Sequence, residues 1–259
     1  MKNLINPEMQ NITKIMKTYI KPTWIKVFKK NKLETFEDFW GLPNQWFEPP
    51  NRRRNGWSGV ITHKIQEGML FIKKQENHNF KNFFHPINGL PTFIREYENI
   101  QRFNQFNFRT PELLYFSHNK KQAILITKKI EAGFKPLADY LKKNKKFSDN
   151  QLKAIANELA HLHHHKIQHT YPMPKHLYLN NKNEVLFIDL EKAKKKLFTL
   201  SAGKRDLYNF LKFTRKYLSN RQLELFYKSY FAILPNKLNR FLTLSYLNKK
   251  LFKNSKFSE

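Results

Sequence analysis

His169, Tyr171, Lys175, His176 and Asp189 are the residues whose types and spacing come closest to a chemical site. Phosphoryl-transfer sites of the pattern H-R-D-x-x-x-x-N carry a catalytic Asp two residues after the His. A metal-binding side chain follows five residues later, and a second acid closes the next apolar strand. In the run His169-Thr170-Tyr171-Pro172-Met173-Pro174-Lys175-His176, the metal position falls on His176. Asp189 ends the apolar stretch Val185-Leu186-Phe187-Ile188, where the second metal ligand belongs. The slot of the catalytic Asp holds Tyr171. The frame of a phosphotransferase loop is present and its usual base is not.

A phosphate-binding lysine belongs upstream of such a loop. Lys73 follows Leu70-Phe71-Ile72, like the V-A-I-K strand whose Lys binds nucleotide phosphates and pairs with a helix Glu. Side chains alternate along a strand, so Met69, Phe71 and Lys73 share a face. Glu96, at a core-facing position of a predicted helix, is the expected partner. Alone, Lys73 reads as one of 48 basic residues; in order with Glu96, His176 and Asp189 it reads as functional. Gly56, Ser58 and Gly59 open a strand where exposed N–H groups could cover a phosphate. Two glycines alone fit a plain turn better. Arg52, Arg53 and Arg54 stand just before them, as an anion-binding triplet or a solvated face.

Two further groups are ambiguous. His161 and His165 share a helix face as zinc ligands can, with His163 and His164 between them, but the Glu of H-E-x-x-H is missing. Histidines ending a helix are also favoured by its dipole, and that is the better reading. Asp206 either holds the backbone of the catalytic loop or is an acid near a helix N-terminus.

The elements that must position these residues follow from periodicity. Residues 1–50 hold Trp24, Trp40 and Trp46 and read as short helix and loop. Trp57–Thr62 and Met69–Lys74 read as strands joined near Glu67-Gly68. A helix starts at Pro91-Thr92, with Thr92 as cap and Glu96, Ile100 and Phe103 at helical spacing. Leu113–Phe116 and Ala123–Thr127 form a second strand pair. Ser148 and Gln151 make a capping box for a helix buried along Leu152, Ile155, Leu159 and Leu162. Helical segments over 204–218, 221–233 and 237–250 complete the chain. The order predicts an α+β, two-lobed protein-kinase-like fold: an N-terminal extension (1–48), a small antiparallel-sheet lobe (49–128) and a helical lobe (129–259).

Bulk properties bound the partners. The 259 residues, 40% hydrophobic with 24 Phe, are enough for a sizeable core. No apolar run of about 18 residues predicts a membrane span. The N-terminus carries scattered charge rather than an uninterrupted apolar core, so no cleaved signal is expected and the expected location is cytoplasmic. Zero cysteines exclude disulfides, thiol catalysis and Cys-ligated zinc. The net charge of +28 implies an anionic partner, or reflects a bias towards Lys, Asn, Ile and Phe throughout the chain.

The stretches Pro50 to Val60, Lys73 to His78 and Pro91 to Gln101, with Pro174-Lys175-His176 and Ile188-Asp189-Leu190-Glu191-Lys192-Ala193, resemble the InaA group of the bacterial lipopolysaccharide kinase (Kdo/WaaP-like) family over roughly residues 35–212. The resemblance implies a small kinase that phosphorylates sugars of the lipopolysaccharide inner core with ATP and Mg²⁺ or Mn²⁺. It implies Lys73 as phosphate lysine, Glu96 as its partner, His176 and Asp189 as metal ligands, and Gly56 to Gly59 over the phosphates. The implied partner is lipopolysaccharide core or another anionic glycolipid, with peripheral contact to an anionic membrane.

The sequence departs from the kinase pattern twice. A phenol with a pKa near 10 is a poor base in the Tyr171 slot, and Leu190-Glu191 replaces Phe-Gly after Asp189. His169 and Glu191 are then candidates to orient the acceptor. A pseudokinase binding nucleotide or a partner is the alternative. A basic nucleic-acid-binding protein is a third reading, which would show steeply salt-dependent binding that ATP does not alter.

Overall fold

The structure, a computed structural model, describes residues 17–252 except 54, 55, 82, 84, 85, 88 and 145. Arg54 of the arginine triplet lies outside the described residues. The chain divides into two compact units, one of residues 1–98 and 111–129, the other of 99–110 and 130–259.

The first unit is built on a six-stranded antiparallel sheet. Its strands are β1 (Lys17–Ile20), β2 (Asn51–Arg53), β3 (Gly56–Ile65), β4 (Gly68–Glu76), β7 (Leu113–His118) and β8 (Gln122–Lys128), in the order β1-β7-β8-β4-β3-β2. Two short strands, β5 (Asn79–Phe80) and β6 (Leu90–Pro91), pair apart from it. Two short helices, α1 (Ile25–Lys30) and α2 (Phe36–Gly41), cover one face, where Trp24, Phe28 and Phe39 pack on Ile61, Leu70, Ile72 and Tyr115. The lead-in read from sequence as helix and loop thus also supplies an edge strand, β1, paired with β7.

The alternation of β4 sends two adjacent lysines opposite ways. Lys74 turns to the covered face and is fully buried. Its ammonium donates to the carbonyls of Trp40 (2.8 Å) and Leu42 (2.7 Å) and to Asn44 Oδ1 (3.2 Å), so burial that lowers it to about 8 leaves its donors satisfied. Helix α3 (Phe93–Gln105) follows β6. The Thr92 hydroxyl donates to Gln75 Oε1, and the same oxygen takes the Phe93 N–H, both at 2.9 Å. Gln75 therefore holds the start of α3, where sequence placed Thr92 as the cap. The unit boundary falls within this helix, after Glu98.

The second unit is mostly helical. Strand β9 (Lys135–Pro136) leads into α4 (Leu137–Asn144), followed by α5 (Asp149–His164), which opens with the expected Ser148–Gln151 capping box and buries Leu152, Ile155, Leu159 and Leu162. Short strands follow: β10 (Ile167–Gln168), β11 (Leu177–Leu179), β12 (Val185–Phe187) and β13 (Lys194–Lys195). β12 pairs with β11 and β11 with β9, while β10 pairs with β13. Helices α6 (Thr199–Thr214), α7 (Asn220–Ile233) and α8 (Lys237–Phe252) end the unit. A polar cavity of about 690 Å³ opens beside α5, lined in part by Asn104, Arg109, Asn157, Glu158 and His161. Burial raises the Glu158 carboxyl to about 7, with Arg109 pulling it partly back.

Two stability changes follow. Lys74→Met leaves three oxygens without their donor and lowers unfolding stability by about 2–4 kcal/mol in urea melts; an unchanged midpoint would mean that Lys74 does not hold residues 40–44. Glu158 is raised in the folded state, so its contribution falls as pH rises from about 4.5 to about 7 and the penalty is complete above that range. Glu158→Gln therefore stabilises the chain at pH 8 by about 1–2 kcal/mol and has no effect below pH 4. A pH-independent difference would overturn this account.

Candidate active site

In the first unit, Lys73 Nζ donates to Glu96 Oε1 at 2.5 Å. The Lys73 side chain is 24% exposed and that of Glu96 6%, so a nearly buried carboxylate holds an ammonium that still reaches solvent. β4 and α3 bring this pair together across 23 residues of sequence. Arg52 and Arg53 are exposed on β2, paired with Trp57 and Gly56 of β3. Gly56 and Gly59 lie within β3 itself, not in a loop. A Cβ at Gly59 would stand 2.5 Å from the Trp46 ring, and one at Gly56 would stand 2.4 Å from the Asn77 carbonyl oxygen. Both glycines thus have a packing reason of their own within β3; Ser58, half-buried, pairs with Asn51.

In the second unit the loop from His169 to His176 is fixed from behind by Asp206. This carboxylate is fully buried, in the middle of α6 rather than at its N-terminus. It accepts from the N–H groups of His169 (2.7 Å) and Thr170 (2.8 Å) and from His163 Nε2 (3.2 Å). Burial keeps the Tyr230 phenol protonated, and its O–H reaches His163 Nδ1 at 2.8 Å. Gly203 makes room for that hydroxyl, which a Cβ there would approach to 2.5 Å. Asn209 Nδ2 donates to the Thr170 carbonyl (2.6 Å), and the Thr170 hydroxyl to that of Lys192 (2.8 Å). These bonds hold Thr170 at φ 80°.

The loop presents His176 to Asp189. The Tyr171 carbonyl can only accept, so His176 Nδ1 donates to it at 2.9 Å. His176 Nε2 then faces Asp189 Oδ2 at 3.3 Å. A lone pair on Nε2 beside a carboxylate oxygen is a donor set suited to a divalent cation, and a backbone carbonyl on the far nitrogen is the usual way a metal-binding imidazole is oriented. The Asp189 side chain is half exposed, and its backbone is left-handed (φ 59°, ψ 57°). The turn after it, Leu190–Lys192, is anchored by buried Asn99, whose amide donates to the carbonyls of Leu190 and Ala193, both at 2.8 Å.

His169 is fully buried, and desolvation lowers its pKa. Nε2 donates to the Ile188 carbonyl at 3.1 Å, and the ring packs on Phe187. A ring so enclosed positions the loop and does not reach an acceptor, which corrects its reading as an acceptor-orienting group. Lys175 is exposed beside His176. Of the histidine run, His163 is the Asp206 partner and His165 stacks on Phe106. Sequence reasoning missed Asn99 and Asn209. Asn99 leaves one signal, an amide three residues after Glu96 within the apolar stripe of α3.

Asp206→Asn replaces a charged acceptor of three donors and lowers unfolding stability by about 2–4 kcal/mol. Urea melts measure it; an unchanged midpoint would mean that the loop is held by its other contacts.

The model of the lipopolysaccharide kinase (Kdo/WaaP) family matches residues 37–230. Protein InaA of Escherichia coli (strain K12) is 30% identical over 178 residues, covering 64% of this chain and 82% of that protein. Among solved structures, the bifunctional kinase-methyltransferase WbdD aligns with a TM-score of 0.46 at 16% identity; the match covers 70% of this chain and 40% of WbdD. The family model spans Lys73, Glu96, the loop from His169 to His176, Asp189 and Asp206, so the chain, with its protein-kinase-like sheet unit and helical unit, belongs to the lipopolysaccharide kinase (Kdo/WaaP) family.

Proposed function

We propose that the chain is an ATP-dependent phosphotransferase acting on a sugar of an anionic glycolipid, of the lipopolysaccharide inner-core class, at the cytoplasmic membrane face. The family match supports kinase-like chemistry, and the observation that carries the finer reading is the His176–Asp189 donor set on a rigidly held loop. Lys73, oriented by Glu96, binds nucleotide phosphate oxygens. Asp189 and His176 hold the divalent cation, with Mn²⁺ serving at least as well as Mg²⁺ because imidazole is a softer ligand than the usual Asn. Such a cation neutralises charge on the phosphates during transfer. The terminal phosphoryl group of ATP passes to a sugar hydroxyl, giving a phosphomonoester, ADP and a proton. Phosphoryl transfer depends mainly on positioning and charge stabilisation, so the absence of an Asp at Tyr171 does not preclude turnover.

Tyr171 favours one second reading, a pseudokinase that binds Mg·ATP without transferring phosphate. Asp189→Asn is expected to remove metal-dependent ATP affinity in calorimetry while leaving the unfolding free energy from urea melts within about 0.5 kcal/mol of wild type. Unchanged Mg·ATP binding in that variant would sink the metal assignment. Acceptor-dependent ADP release with lipopolysaccharide cores, lost in Asp189→Asn, decides for the enzyme. Nucleotide binding without such release across a panel of cores decides for the pseudokinase.

A further inference from the structure

The slot of the missing Asp has its own chemistry. The Tyr171 ring carries two cations: Lys192 Nζ lies 5.0 Å from its centroid and the Arg205 guanidinium carbon 5.5 Å. Arg205 Nη2 also donates to the Tyr171 hydroxyl at 3.3 Å. Both cations are exposed, and among the described residues neither has a carboxylate partner. Each cation gains from the ring face, but the two repel one another, and among the described residues neither is in an ion pair with a carboxylate.

The donors that remain point to a ligand. Arg205 spends one N–H on Tyr171 and keeps four in a planar fork, the geometry that matches a phosphate or carboxylate. Lys192 offers its ammonium. The phenol, accepting from Arg205, keeps its own O–H to donate. The backbone that carries the cluster is also fixed in place. Arg205 precedes Asp206 on α6, and the Lys192 carbonyl is bonded by Thr170. The Tyr171 carbonyl holds His176, which faces Asp189. The three donors therefore come from three segments that meet at this loop: Tyr171 on the loop itself, Lys192 in the turn after Asp189, and Arg205 on α6. An Asp at position 171 would place a carboxylate between these cations and quench them. With Tyr there, the slot has changed from a proton acceptor to an anion receptor.

We propose that Tyr171, Lys192 and Arg205 form a receptor for an anionic group on the acceptor, a phosphate monoester or a carboxylate, so that the acceptor is a charged saccharide rather than a neutral one. The word acceptor rests on the phosphotransferase reading above; the receptor itself is tested by binding alone. Specificity of this kind is strong, because a neutral sugar leaves two cations unneutralised.

The experiment is calorimetric titration of the full chain, without nucleotide and at fixed ionic strength, with glucose 6-phosphate, glucuronate and glucose. The expected result is that at least one of the two anionic sugars binds and that glucose does not; which one binds identifies the group as phosphate or carboxylate. Lys192→Gln/Arg205→Gln should weaken the anionic sugar by about tenfold or more. Because the whole chain is strongly basic, the matched control is Lys142→Gln/Lys143→Gln on α4, which should weaken it by less than about twofold. Tyr171→Asp should lose as much as the first pair, and Tyr171→Phe less.

Equal losses in the two double variants would overturn the proposal, since a diffuse positive field would then hold the anion. So would glucose binding as well as the charged sugars, or no anionic sugar binding at all. A loss of Mg·ATP affinity without loss of Mg·ADP affinity in Lys192→Gln/Arg205→Gln would also overturn it, by assigning the cluster to the terminal phosphate of the nucleotide. Failure here with Mg·ATP binding still dependent on Asp189 leaves the phosphotransferase reading standing. Selective sugar-anion binding by a chain that ignores Mg·ATP would remove that reading and keep the receptor.

Discussion

The buried carboxylate of Asp206 is the constraint on which the candidate site depends. It satisfies two consecutive backbone N–H groups, those of His169 and Thr170, that would otherwise be orphaned inside the second unit. Satisfying both fixes the direction in which the chain leaves α5 and β10. From that direction follow the half-buried position of Tyr171, the carbonyl that orients His176 and the approach of His176 to Asp189. The carboxylate is held in turn by His163 and, through it, by Tyr230 on α7. A charge this deep is tolerable only because every side of it is met by a donor.

The first unit shows a parallel economy in β4. Two neighbouring lysines do opposite jobs because a strand alternates. Lys73 meets a carboxylate and remains in touch with solvent, whereas Lys74 meets three oxygens and is closed off from solvent. The buried lysine ties the Trp40–Asn44 segment to the back of the strand whose front carries Lys73. Residues 40–44 thereby help to set the plane of β4.

Much of this was legible in the sequence, for identifiable reasons. The α+β, kinase-like fold followed from strand and helix periods, and α5 began at the predicted capping box because Ser148 and Gln151 act locally. Lys73 and Glu96 were legible because each has a periodic context that fixes its phase. What escaped was long-range. Lys74 looks like any surface lysine, since its acceptors lie 30 to 34 residues away and two of the three are backbone carbonyls that carry no residue-type signal. The glycines of β3 left two readings open because a missing Cβ reads the same whether a ligand or the Trp46 ring fills the space. Asp206 stood open between two roles until α6 proved to begin at Thr199, seven residues before it.

The left-handed backbone at Asp189 acts as a filter on what evolution or an engineer can place there. Residues other than Gly, Asn and Asp lose about 1–2 kcal/mol in that conformation. Glutamate, the nearest relative by charge, is therefore disfavoured by the main chain before its longer side chain is considered. Asparagine preserves the backbone and removes only the charge. The position admits a change of electrostatics more readily than a change of shape, so a descendant without a charge here could retain this fold almost unaltered.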